Sequence, residues 1–589
     1  MRLFCKEYKL SDAHSSSVNE LFFLFVFVSC CIIKTMKCLH FNFENIFKSF
    51  FKSKIIVQAI LVGLISGLLV VLFKMSITNL FEYIQKLTKN FWFLLPVLSA
   101  LGGLISGYLV YKFAPEAKGS GIPYVKASLL HLGNLTRVRS VFVKFFGGIA
   151  SIGTGMSLGR EGPSVQLGAG SGALIGKLFR LSGSDKDKLI SAGAGSAIAA
   201  TFNAPIAGTI FVLEELMQKF NSSILFPVLI STVVASSLSR YMLGNNTSFL
   251  IPVLDKNTSL NIFVCLALGV IAGLLGVLFS KLIHFNNDLF LKIKIKPYFK
   301  PMIAGFAVGL VGLFLPLVLC SGNGSVDILL QYKLPIILVS LIFIAKFFVT
   351  PFCFGSGAVG GIFLPMLMLG AYLGYIVGVF SNYVGVEVNL VALSLIGMAA
   401  FLSAVARTPI TATVMVFEMT GGYNFILHIM LACAIADLVA EKLKHKPIYS
   451  ELIVNQVKNS TDAKILENKK VSDIMKTDVE IINQDLPIKE ALSEMTTQHH
   501  SFCPVIDNSN SLIGAIIKSD IEDVLINCGD KKLFVKDIME TNIITVDKDL
   551  NLYTLYFRLH SNNCDKAVVI DESKKIVGIA SRYDIQEIL

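Results

Sequence analysis

Charge is scarce in this sequence. Of its 589 residues 16% are charged and 54% hydrophobic, whereas soluble proteins carry about 25% charged residues. So few charges cannot cover a water-facing surface of this length, so much of the chain takes lipid as its solvent. Other absences exclude whole classes of function. There is no P-loop, no G-x-S-x-G elbow and no His or Cys cluster at metal-ligand spacing, which gives an enzyme, a metal or a required cofactor no footing. The eleven cysteines form no paired framework; Cys503, Cys528 and Cys564 lie in a polar tail, where a reducing cytosol leaves thiols free. The net charge of +11 comes without a basic, aromatic-lined soluble face, so nucleic acid is not an expected partner. The acidic pore lining that a magnesium transporter needs is missing as well.

The charges that do occur are unevenly placed. From Ile55 to about Ala440 the chain reads as apolar runs broken by Gly and Pro, and from Lys442 to Leu589 it reads as an ordinary soluble sequence. Lys48, Lys52 and Lys54 precede the first long apolar run, and Lys442, Lys444 and Lys446 follow the last. The positive-inside rule puts both flanks in the cytoplasm and requires an even number of crossings. Ile55–Phe73, Phe93–Tyr111, Ile262–Leu282, Pro301–Leu319 and Leu334–Val349 read as spans. Val141–Ile152, Val165–Leu178, Ala192–Leu213 and Ile362–Val379 are shorter or interrupted, and broken helices at membrane depth commonly build transporter ion sites. Leu21–Ile33 falls short of the ~20 residues a crossing needs; it reads as an interfacial helix or a leader lacking a cleavage site. The expected division is an N-terminal cytoplasmic segment over 1–50, a membrane domain over 51–452, a lysine-rich linker over 453–470 and paired soluble units over 471–525 and 535–589.

Two internal repeats organise these regions. In the membrane part, Gly159, Pro163 and Gly168 recur as Gly361, Pro365 and Gly370, displaced by 202 positions. Pro205-Ile206, Thr209, Val212 and Glu214 recur as Pro409-Ile410, Thr413, Val416 and Glu418, displaced by 204. In the tail, Asp473-Ile474-Met475, Gly514 and Asp520 recur as Asp537-Ile538-Met539, Gly578 and Asp584, displaced by 64. Pro504–Asp507 and Ala567–Asp571 read as buried strands.

An ion in hydrocarbon has shed its water, at a Born cost of order 20 kcal/mol before relaxation. A central Lys or Arg would trap an anion. Helix N-termini offer gentler compensation, because each presents free amides and roughly half a positive charge. Gly119-Ser120-Gly121-Ile122-Pro123, Gly159-Arg160-Glu161-Gly162-Pro163 and Gly361-Ile362-Phe363-Leu364-Pro365 each have glycines for close approach and a proline suited to a first helical turn. A carboxylate at Glu161 carries the same charge as the ion such amides attract, so ionised it can block the site and protonated it can leave. Arg160 reads as its partner or as a donor to nearby carbonyls. Glu214 and Glu215 end an apolar stretch; Glu214 has a repeat partner in Glu418, while Glu215 stands opposite Met419 and is the added feature.

These three motifs, with Phe202-Asn203-Ala204-Pro205 and Lys446-Pro447-Ile448-Tyr449-Ser450, resemble the signatures of the CLC chloride channel and transporter family. The resemblance covers about Ile55 to Leu452. It implies an all-α polytopic membrane protein with an inverted internal repeat, a homodimer with one pathway per subunit, in the plasma (inner) membrane. The hydroxyls of Ser120 and Tyr449 and the amides of Ile362 and Phe363 would hold chloride, with Glu161 as the gate. Serine at position 120 favours chloride, since nitrate-preferring members usually have proline there, and the fluoride-exporting branch usually departs from the Glu161 motif. Glu215 falls where exchangers of the family have an internal proton-transfer glutamate, which favours proton-coupled chloride antiport over a passive channel. The tail resembles a tandem pair of cystathionine-β-synthase (CBS) domains, an α+β module that often binds adenine nucleotides. Ser581 and Asp584 fit the ligand motif; Ile517-Lys518-Ser519-Asp520 departs from it, and a ligand-free dimerisation module fits the pair equally. A membrane-tethered nucleotide sensor with a degenerate transport part is the reading of another class, and the intact Ser120, Glu161 and Tyr449 oppose it.

Overall fold

The computed structural model describes residues 54–589, leaving out 131–134, 136, 182, 219, 221, 245–247, 250–259, 422–424, 458–460, 498–499, 529–532, 542, 563, 572, 574, 587 and 589. The Leu21–Ile33 segment lies outside the described residues. Helices fill the first part: α1 (Lys54–Asn90), α2 (Leu94–Phe113), α3 (Ile122–Leu129), α4 (Val138–Gly153), α5 (Glu161–Leu178), α6 (Gly183–Phe202), α7 (Pro205–Phe211, continued by a π-helical turn over Val212–Met217) and α8 (Ser222–Leu243). There follow α9 (Ile262–Lys292), α10 (Phe299–Phe314), α11 (Asn323–Gln331), α12 (Ile336–Gly355), α13 (Phe363–Tyr383), α14 (Leu390–Ala406), α15 (Pro409–Thr420), α16 (Ile426–Lys442) and α17 (Ile448–Val457). Among the described residues, six helices are long and apolar enough to cross a membrane: α1, α2, α8, α9, α12 and α13. Pro301–Leu319 is not one continuous span; α10 stops at Phe314 and a 3-10 turn over Pro316–Val318 follows.

The repeat is visible in how the helices touch. A β-carbon built at Gly168 of α5 would lie 2.2 Å from the carbonyl oxygen of Gly193 on α6, and one at Gly172 would lie 2.0 Å from that of Leu189. In the second half, Gly370 and Gly374 of α13 meet the carbonyls of Gly397 and Leu393 on α14 at 2.2 and 2.1 Å. Both pairs approach too closely for any side chain but hydrogen, the small-x-x-x-small packing that suits helices in lipid.

Buried lysines repeat too. Lys144 on α4 donates to the carbonyls of Ala117 and Gly119 at 2.9 and 2.7 Å. Lys346 on α12 donates to those of Val318 and Cys320 at 2.8 and 2.6 Å. Each ammonium satisfies backbone acceptors where a 3-10 turn has interrupted the helical ladder, and an unmet buried acceptor costs about 1–3 kcal/mol.

The halves also exchange helix caps. Glu214 accepts from the amides of Ile410 and Thr411 at the start of α15, at 3.1 and 2.6 Å, and from the Thr411 hydroxyl. Glu418 accepts from the amides of Ile206 and Ala207 at the start of α7, at 3.0 and 2.7 Å. α7 and α15 begin with proline and lack a capping side chain of their own, so each borrows a carboxylate that suits the positive end of the helix. The shared structural role expected of Glu214 and Glu418 is this reciprocal capping, the pattern of a two-fold axis relating the halves.

The soluble tail begins with α18 (Thr461–Asn468), so part of the stretch read as a linker is helical, and Leu466 is buried in the core of the second unit. The first unit comprises β1 (Ile482–Asn483), α19 (Ile488–Thr497), β2 (Phe502–Ile506), β3 (Leu512–Ile517) and α20 (Lys518–Cys528). The second comprises β4 (Thr545–Asp547), α21 (Leu552–Ser561), β5 (Lys566–Ile570), β6 (Ile576–Ser581) and α22 (Arg582–Gln586). Each sheet has one parallel and one antiparallel pairing, in the orders β1-β2-β3 and β4-β5-β6. The lead-in of each unit closes the other's sheet: Lys476 exchanges backbone bonds with Ile579, and Glu540 with Ala515. Gly514 and Gly578 stand where Met539 and Met475 press on the sheets.

Removing a borrowed cap should loosen the junction of the halves. Glu214→Ala is expected to cost about 1–2 kcal/mol and to lower the thermal aggregation midpoint of the detergent-solubilised protein by a few degrees. Glu214→Gln, which keeps an acceptor, should lie between it and the wild type.

Candidate functional site

Three glycine-bounded loops meet at one place inside the helical part. Gly159 and Gly361 exchange backbone bonds, N–H to O=C, at 2.7 and 2.6 Å. The Gly360 amide donates to the Gly119 carbonyl at 3.1 Å, so the 119–121 loop joins the pair. Gly119 and Gly121 take φ of +66° and +102°, a region that L side chains rarely adopt. The loops leave no room for larger residues. A β-carbon at Gly162 would sit 2.2 Å from Ser120 Oγ and 2.6 Å from the Ser120 carbonyl oxygen, and one at Gly121 would sit 2.7 Å from the Gly162 carbonyl oxygen. Lys144 pins the same loop from behind through the Gly119 carbonyl.

Each loop runs straight into a helix: the 119–121 loop into α3, the 159–160 loop into α5 and the 359–362 loop into α13. The first-turn amides of those helices have no acceptor within the helix, and they include those of Ile362 and Phe363. Phe363 is held at its post by ring contacts with Phe202 and Phe211, at 5.8 and 6.1 Å between centroids. Phe202 ends α6, and the next residue, Asn203, turns the chain with a φ of +59°. Its side-chain oxygen accepts from Ser236 and Arg240, which anchors that corner.

The polar side chains here are buried and unpaired. Ser120 and Tyr449 are 0% exposed, and neither hydroxyl has a hydrogen-bond partner among the described residues. Both amide atoms of Gln166 are likewise without a partner among the described residues, and the Glu161 carboxyl group, 0% exposed, faces the backbone amides of Glu161 itself and of Leu364 without a well-formed hydrogen bond. Polar atoms that are buried and unpaired are rare and point to a site for an ion or water. Glu161 is the first residue of α5, so its carboxyl group sits at the positive end of that helix. Arg160 Nε lies 3.9 Å from Glu161 Oε1 without a hydrogen bond between them, and Nε donates to no carbonyl among the described residues. Helix-start amides, the Ser120 hydroxyl and the Glu161 carboxyl group therefore gather where the loops touch, an arrangement that suits a small anion and a proton-sensitive competitor for it, and Tyr449 adds a second buried hydroxyl on α17.

Glu215 lies in the π-helical turn and is 1% exposed. It does not share the direction of Glu214. Its Oε1 accepts from Lys126 Nζ at 2.8 Å, and the same ammonium donates to Ser450 Oγ at 2.8 Å. Lys126, Lys144, Lys346 and Gln166 all escaped the sequence reading. Two of them had left a signal: Lys144-Phe145-Phe146 recurs as Lys346-Phe347-Phe348 at the 202-residue displacement of the glycine anchors. Gln166 and Lys126 carry no such mark. In the tail, Asp584 Oδ2 accepts from the Ser581 amide and hydroxyl at 2.8 and 2.5 Å, and Oδ1 lies 3.5 Å from Lys476 Nζ. The pair Ser581 and Asp584 thus begins α22 as a cap, with Asp584 buried.

Comparisons with known proteins cover both the helical part and the tail. The family described as "Voltage gated chloride channel" matches residues 102–441, and the CBS domain matches 471–527 and 535–589. An H(+)/Cl(−) exchange transporter ClcA of Vibrio parahaemolyticus is 33% identical over 421 residues, covering 69% of this chain and 90% of that protein. Its counterpart in Yersinia pestis is 34% identical over 436 residues, covering 70% and 89%. The crystal structure of a slow cyanobacterial Cl−/H+ antiporter is similar with a TM-score of 0.66 at 29% identity, covering 69% of this chain and 98% of the other. A eukaryotic CLC transporter shares the fold over 91% of this chain and 98% of its own, with a TM-score of 0.64 at 19% identity.

The crowding at Gly162 yields a graded expectation. Ser120→Ala should weaken anion binding by roughly ten- to a hundredfold, the loss of one hydrogen bond to a charged acceptor, ~1.5–3 kcal/mol. Gly162→Ala, which displaces the Ser120 backbone, should weaken it further. Titration calorimetry on the two variants reads the order.

Proposed function

The chain belongs to the voltage gated chloride channel family, with a tandem CBS pair at its C-terminal end, and from that premise we propose that it exchanges chloride for protons across the membrane. The observation that supports the reading is the backbone contact of the three glycine loops, with the buried Ser120 and Glu161 at the starts of two of the helices they lead into. A chloride ion held by the amides of Ile362 and Phe363 and by the hydroxyls of Ser120 and Tyr449 recovers donors for the water it sheds. Glu161 contends for the same donors while ionised. When it takes up a proton it loses that attraction and swings away, so the passage of chloride and the uptake of a proton are linked. Glu215 is the second proton station, on the cytoplasmic side. Its burial beside the segments that bear Ser120 and Tyr449 supports this role, as do relatives named exchange transporters that align over nine-tenths of their length.

The same reading places both termini in the cytoplasm of a plasma (inner) membrane, by the lysines that flank the spans. It takes the protein as a homodimer with a pathway in each subunit. It gives the CBS pair a modulating role, with an adenine nucleotide as the regulatory ligand. A physical link supports that role: the Tyr556 hydroxyl of α21 donates to the Leu130 carbonyl, just past the end of α3, at 2.7 Å. Ala127 of α3 and Ile453 of α17 share a core with Leu555 and Tyr556.

Reconstituted vesicles test the proposal. An imposed chloride gradient should drive protons uphill in the wild type. Glu161→Ala and Glu215→Gln should each cut proton movement by at least about tenfold, ~1.4 kcal/mol, while chloride still passes. Wild-type chloride flux without proton movement would make the protein a passive channel.

A further inference from the structure

Lys126 is the fifth residue of the short apolar helix α3, six positions after Ser120, and only 1% of it is exposed. Its ammonium is 2.8 Å from Glu215 Oε1 and 2.8 Å from Ser450 Oγ. Ser450 adjoins Tyr449 on α17. One cation therefore joins the three segments that carry Ser120, Tyr449 and Glu215. Glu214, the residue before Glu215, is committed to the amides of Ile410 and Thr411.

We propose that Lys126 is a positioning residue for the proton branch of exchange: it fixes the Glu215 carboxylate in place and couples that station to the segments forming the anion site. The inference rests on the exchange reading and on Glu215 as the inner proton station. The physical reason is the cost of burying charge. A carboxylate taken from water without a counter-charge is strongly disfavoured, and removing one member of a buried pair strands the other. Lys126 offsets that cost and sets the direction of the carboxylate. Its second bond, to Ser450, gives the ammonium a place to stay when a proton reaches Glu215 and the pairing weakens. The proton then adds to a carboxylate oxygen of Glu215 while the ammonium keeps its bond to Ser450. A movement of α17 or α3 is felt at Glu215 through the same nitrogen.

Paired proton and chloride fluxes from vesicles test this on Lys126→Met, Lys126→Arg, Glu215→Gln and the double variant Lys126→Met with Glu215→Gln. Lys126→Met should lower the protons moved per chloride by about tenfold while chloride flux persists. Lys126→Arg, which keeps the charge, should recover part of the ratio, and it serves alone if Lys126→Met fails to fold. The double variant should match Glu215→Gln, because a residue acting through another adds nothing once that other is gone. A wild-type ratio in Lys126→Met, or proton and chloride fluxes that fall in parallel, would overturn the proposal and show a mere strut. A wild-type ratio in Glu215→Gln would instead overturn the proton-station reading itself, whatever Lys126 does.

Discussion

Two backbone hydrogen bonds between Gly159 and Gly361 hold the centre of this molecule together. They bind the first half of the membrane part to the second at the point where both chains turn into helices. The third loop is locked on by Gly360 and Gly119. Nothing larger than hydrogen fits at Gly121 or Gly162 without striking a neighbouring backbone. The constraint is mutual: amide ends can gather around one small ion only if the loops carrying them touch, and they touch only because side chains are missing there.

Much of the remaining architecture consists of the halves supplying what the other lacks. Glu214 caps α15 and Glu418 caps α7, while Lys144 and Lys346 close the broken ladders behind matching 3-10 turns. In water, solvent would satisfy such donors and acceptors. In lipid the protein must do so internally, and a duplicated unit meets the need with one set of residues used twice. Asymmetry then stands out. Glu215 has Met419 opposite it in the repeat, and its partner is Lys126 on a helix that reaches from Ser120 to the contact with Tyr556. α3 thus has the buried Ser120 hydroxyl before its start, a buried ion pair at its middle and the soluble tail at its end.

The sequence made the glycine–proline motifs, both repeats and the pairing of Glu214 with Glu418 legible, because each rests on spacing and on residue types that have few uses in lipid, while the capping those two perform appears only in the fold. The meeting of the three loops could be expected from the resemblance but not from spacing, since contacts 200 residues apart leave no periodic trace. Lys126 and Gln166 were silent for a different reason: a lone polar residue in an apolar helix gives no hint of its partner until the fold supplies one. Pro301–Leu319 misled because hydropathy does not see the 3-10 turn at Pro316. The helix over Thr461–Asn468 was obscured by its polar composition, although Leu466 anchors it in the second CBS unit.

The claim that converging amides and two hydroxyls replace the hydration of a halide can be put to a direct measurement. Crystals of the full chain grown in bromide, with diffraction recorded at the bromine absorption edge, would locate the ion by its anomalous signal. A peak within hydrogen-bonding reach of Ser120 Oγ, Tyr449 Oη and the amides of Ile362 and Phe363 is the expected result. Bromide found only elsewhere, with those donors turned to other partners, would contradict it.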